Sequence, residues 1–146
     1  MNYFKEAERI LMSRRTLERS LNNLRRRLQH TMRNGAPHDI SGIDYSQPYA
    51  KESAVNDTMK DYLDIIEIKN EIKTTESEIK FIDDVISQLS EQSKKVLNLW
   101  YVEKKTKDEI RETLEKDGST TIYSMRNKAI GEFALLYFGA GALAST

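Results

Sequence analysis

Apolar residues recur along this chain in three regimes. From residue 2 to 33, the positions Tyr3, Ala7, Ile10, Arg14, Leu17, Leu21, Leu24, Leu28 and Thr31 advance in steps of four and three. That spacing lays one stripe along one side of a long helix, a heptad seam broken once by the charge of Arg14. No proline or glycine interrupts the run. Asn34-Gly35-Ala36-Pro37 then supplies a stop, because Asn and Gly tolerate the left-handed C-terminal conformation and proline cannot continue the helix. Residues 34–52 hold both prolines, show no periodicity and read as a linker. A second helix is predicted over 54–89, with Ile65, Ile68, Ile72, Thr75, Ile79, Ile82, Ile86 and Leu89 on its seam. Upstream, Val55, Met59, Tyr62 and Ile66 are offset by one residue, so the seam shifts near Tyr62. Two such helices joined by a loop make an antiparallel hairpin. Its narrow seam leaves apolar surface uncovered and predicts a partner chain.

After residue 92 the pattern shortens. Ser93 to Val102 is a predicted short helix with Val96, Leu97, Leu99 and Trp100 inward. Thr106 to Leu114 is another, where Thr106 and Glu109 have the spacing of a capping box. Glu115-Lys116-Asp117-Gly118 reads as a turn. A last helix runs from Ser119 to about Phe138, with Ile122, Met125, Ala129, Ile130 and Phe133 inward, and ends at Gly139-Ala140-Gly141; the residues beyond are expected to fray. The fold class is therefore all-α: a long helical hairpin or coiled coil over 1–92, serving oligomerisation, then a helix-turn-helix over 93–146.

Composition fits exposed helices with narrow stripes: 38% hydrophobic and 32% charged among 146 residues. There is no cysteine, which excludes disulfides and thiolate chemistry. His30 and His38 lack the spacing of a zinc site, and no cofactor is expected. Asp83-Asp84 is not read as a metal or catalytic pair, since adjacent helical residues do not converge. With no nucleophile–base pair and no phosphate loop, the chain is expected to be a non-enzyme. The absence of a signal peptide or long apolar run predicts a cytoplasmic protein with no membrane partner.

The net charge is zero but unevenly spread. Residues 1–38 carry nine Arg/Lys and three Asp/Glu, a net of +6; residues 39–92 carry five and thirteen, a net of −8; residues 93–146 carry nine and seven, a net of +2. The Arg25-Arg26-Arg27 run has two readings: a phosphate-binding patch, or ion pairing to acidic residues of the second helix such as Asp61, Asp64 and Glu67. Arg14 reads as a register device or as a side chain snorkelling to water.

From Ser119 to Gly131 there is no Asp or Glu, in a chain rich in both. A helix entering a DNA major groove needs such a polar, carboxylate-free face. Thr120, Tyr123, Ser124, Asn127 and Lys128 suit it, with Arg126 flanking. Ser119, Thr121, Thr106 and Lys107 complete the candidate DNA-binding set. Asn127 has the donor and acceptor to pair with adenine.

The stretch Val96-Leu97-Asn98-Leu99-Trp100-Tyr101-Val102-Glu103, with Thr106, Glu109, Ile110, Leu114, Thr121, Tyr123, Asn127, Lys128 and Ala129, resembles region 4 of sigma-70 family factors. It resembles still more the C-terminal part of ArpU/RinA-type late transcriptional regulators of Gram-positive phages and prophages. The upstream order matches too: long helix, a loop with Gly42-x-Asp44-Tyr45, long helix. Trp100 stands where that family usually has arginine, Lys104 where a turn glycine is common, and Arg111 where a small alanine is common. The turn before the last helix is one residue longer. The resemblance implies a sequence-specific regulator, an activator of late genes in the bacterial host cytoplasm. It would bind double-stranded DNA as a homo-oligomer and bring RNA polymerase into view as a partner. Two other readings stand beside it: a small terminase subunit that recognises packaging DNA with a similar design, and an interaction protein whose head no longer binds DNA.

Overall fold

The computed structural model describes the backbone of residues 1–34, 48–114 and 119–145, and the side chains of 1–33, 57–114 and 121–144. The protein is all-α. Helix α1 (Tyr3–Asn34) is capped by Asn2, whose Oδ1 accepts the Lys5 N–H at 3.1 Å. Helix α2 (Pro48–Ser87) starts earlier than the sequence pattern places it. Proline suits a first helical position, where its missing N–H has no partner to lose. The segment 35–47, with Pro37, His38 and the Gly42–Tyr45 motif, lies outside the described residues.

Ser90 is extended (φ −58°, ψ 155°) and opens α3 (Glu91–Leu97), its carbonyl accepting the Lys94 N–H at 2.8 Å. The helix then widens into a π turn over Asn98–Val102, closed by Glu103 N–H to Asn98 O at 2.8 Å. Lys104 follows with φ +53°, the left-handed conformation that glycine adopts without strain. Helix α4 (Lys107–Leu114) begins with the reciprocal cap expected of it. Glu109 N–H donates to Thr106 Oγ1 at 3.2 Å, and Thr106 N–H donates to Glu109 Oε2 at 3.3 Å. The turn at 115–118 lies outside the described residues. Helix α5 (Ser119–Phe138) ends at Gly139, with φ +84°. The residues beyond do not fray as expected. They form a 3₁₀ turn over Ala140–Ser145 in which Ala142 is buried, and a Cβ on Gly141 would lie 3.1 Å from the Tyr3 hydroxyl.

The chain divides by packing into two units. The first comprises residues 1–18 and 78–146. Its core joins Ala7 and Leu11 of α1, Ile82 and Ile86 of α2, Leu97 of α3 and Phe133 of α5. Leu11, fully buried, falls outside the predicted seam, because this end of α1 is covered over a wider arc than one partner helix would cover. Arg14 is 7% exposed and settles its two readings. It grips Asp83 with Nε–Oδ1 at 2.6 Å and Nη2–Oδ2 at 2.8 Å, while Nη1 reaches Glu18 at 2.9 Å. A forked pair of this kind has strict geometry, as a register device needs. Tyr137 and Phe138 pack on the core, with Phe81 and Tyr3 beside them.

The second unit comprises residues 19–77. Leu21 of α1 and Ile68 and Thr75 of α2 are buried there, and Arg25 pairs with Glu76 at 2.9 Å. Glu76 lies on the second helix, so for Arg25 the ion-pairing reading holds; Arg26 and Arg27 are exposed. The offset set does not continue the buried seam: Met59, Tyr62 and Ile66 are exposed, as is Leu63. Val55 lies outside the described side chains.

Candidate nucleic-acid interface

The short helix α4 and the longer α5 meet through a small apolar cluster of Leu99, Ile110 and Ile122, flanked by Trp100 and Leu114. Burying Ile122 inward turns the following residues of α5 to the surface. Thr121, Ser124, Asn127 and Lys128 are exposed, and Tyr123 and Arg126 are half-buried. Thr106 and Lys107 at the start of α4 are exposed, although the Thr106 hydroxyl already serves the cap. The side chains of Ser119 and Thr120 lie outside the described residues.

Four of the expected residues, Lys107, Tyr123, Arg126 and Asn127, form a chain of contacts that Trp100 joins through Tyr123 and Arg126. Trp100, from the π turn, meets Tyr123 edge to face with ring centres 5.4 Å apart. The Arg126 guanidinium carbon lies 4.9 Å from the centre of the Trp100 ring and 5.2 Å from that of Tyr123. Lys107 Nζ lies 5.0 Å from the centre of the Tyr123 ring. Arg126 in turn donates to Asn127 Oδ1, from Nε at 3.3 Å and from Nη2 at 3.1 Å. Cations held over ring faces are positioned without losing their charge. The cluster therefore offers two oriented cations and a side-chain amide; residues 119–131 of α5 add no carboxylate, while α4 carries Asp108 and Glu109 next to Lys107.

Trp100 faces inward as expected, packing against both apolar clusters, but its contacts with Tyr123 and Arg126 were not read from the sequence. Its signal was the tryptophan standing where the resembled family has arginine. Beneath the cluster, Tyr101 is buried and its hydroxyl has no hydrogen-bond partner. Burial pushes its pKa up to about 12, with Arg126 opposing that rise and Glu8 adding to it. Arg111 forms an ion pair with Asp108, but its Nε is buried without a partner, where a small residue would leave no such group.

Among the described residues, no group of three His, Asp or Glu is gathered as metal ligands would be. No described helix is long and apolar enough to cross a membrane. No family model, no curated protein and no solved structure matches this chain.

Proposed function

We propose that the chain is a sequence-specific DNA-binding regulator of the ArpU/RinA type, with α5 as the helix that enters the major groove. The observation that carries this reading is the cluster of Lys107, Arg126 and Asn127 around Trp100 and Tyr123. It lies at the start of a helix whose residues 119–131 include no carboxylate. Phosphate contacts from Lys107 and Lys128 would position the protein, and Asn127 and Arg126 would read base edges. Homo-oligomerisation would set two heads on successive major grooves, about 34 Å apart. The apolar residues left exposed on α2 support that part of the reading. Contact with bacterial RNA polymerase follows from the sigma-like pattern alone.

The experiment is to map the DNA sites that the protein occupies in phage-infected or prophage-bearing cells. Sites upstream of late promoters are the expected result. Occupancy confined to a packaging site would replace regulation by the terminase reading, and no enrichment anywhere would remove DNA binding from the account.

A further inference from the structure

An asparagine that reads adenine needs both ends of its amide, the oxygen to accept from the exocyclic amine and the nitrogen to donate to N7. Here the oxygen is engaged, because Arg126 donates to Asn127 Oδ1 through both Nε and Nη2. Neighbouring residues on a helix diverge by about 100°, so this bond needs the guanidinium to be drawn across the helix surface. The rings do this. Arg126 lies 4.9 Å from the centre of Trp100 and 5.2 Å from that of Tyr123, and Trp100 is itself fixed edge to face on Tyr123. With Oδ1 turned to Arg126, the Asn127 amide presents its Nδ2 donors outward, beside a guanidinium that has donors only. Guanine offers two acceptors on its major-groove edge, N7 and O6, whereas adenine places a donor beside its acceptor and opposes a donor-only reader.

We infer that Trp100 determines base specificity: by holding Arg126 against Asn127 it makes the pair a donor-only reader that takes guanine over adenine. This rests on the DNA-binding reading above and proposes guanine in place of the adenine pairing expected from sequence. Trp100 acts through Arg126 and is a positioning residue.

The test is selection from a randomised duplex library by the full-length protein and by Trp100→Phe, Trp100→Leu and Arg126→Met, each checked for helix content. The wild type is expected to select guanine at one position and to bind about tenfold more weakly with adenine there. Arg126→Met frees the amide oxygen and shifts that position toward adenine. Trp100→Leu shifts it the same way, and Trp100→Phe, which keeps a ring, retains guanine. Should Trp100→Leu fail to fold, Trp100→Met, which fills similar space without a ring face for Arg126, takes its place and is expected to shift the same position toward adenine. A uniform loss of affinity on all sequences with the preference unchanged would mean that Trp100 is only structural and overturns the inference. A wild type that selects sites without that guanine overturns it too. A wild type that binds no duplex overturns the DNA-binding reading itself.

Discussion

Single side chains in this protein carry costs that can be measured. Lys104 holds φ +53° after the π turn, a conformation that costs an L-residue with a Cβ about 1–2 kcal/mol. Lys104→Gly should stabilise the fold by about 1 kcal/mol and raise the melting temperature by about 3 °C, read by calorimetry. An unchanged or lower midpoint would mean that the lysine side chain offsets its backbone strain. Tyr101 carries a different cost, a hydroxyl buried without a partner. Its folded pKa of about 12 stands above the ordinary 10 of the unfolded chain. The contribution to stability is therefore complete below pH 10 and is lost as pH rises from 10 to about 12, where the unfolded chain ionises first. Tyr101→Phe should be neutral or stabilising by about 1 kcal/mol at pH 7, and should lose less stability than the wild type between pH 10 and 12. Denaturant melts across that range decide it, and parallel curves for the two proteins would contradict the assignment. The site was legible at this scale where residue type alone carried the signal: Lys107, Tyr123, Arg126 and Asn127 were named from polarity and position. Trp100 was not, because a half-buried aromatic and a core aromatic look alike in sequence.

At the scale of elements, local rules were legible and tertiary ones were not. The α4 cap could be read from Thr106 and Glu109 because both partners lie within one turn. The end of α5 could be read from Gly139 for the same reason. The π turn has no such signature, since a wider hydrogen-bond spacing over Asn98–Val102 is a backbone choice made by what the flanking residues must bury. Likewise the exposure of Met59 and Tyr62 depends on which α2 face finds a partner, which periodicity alone does not fix. The Arg14–Asp83 pair joins α1 to α2 inside the first unit, and removing one partner strands the other. Asp83→Ala should cost about 2–3 kcal/mol, less than for a fully buried pair because the Asp83 side chain is 42% exposed. Adding Arg14→Met should recover most of that loss. Chemical denaturation of the single and double variants checks both; a double variant as unstable as Asp83→Ala would show that Arg14 contributes by packing rather than by charge.

Over the whole molecule, charge is segregated into a basic start, an acidic middle and a mildly basic end. The Arg25–Glu76 pair gives part of the basic start an internal use, while Lys107, Arg126 and Lys128 lie in or beside the candidate interface on α4 and α5. The claim that α5 and not the basic arm meets DNA is tested most directly by the salt dependence of duplex affinity. Each phosphate contact contributes about −0.9 to the slope of log affinity against log salt. The account predicts that Lys107→Gln with Lys128→Gln makes the slope shallower by about two units. Replacing Arg25, Arg26 and Arg27 with Gln should change it by less than about one. A large change on the arm and none on the helices, or no binding to any duplex at low salt, would contradict it.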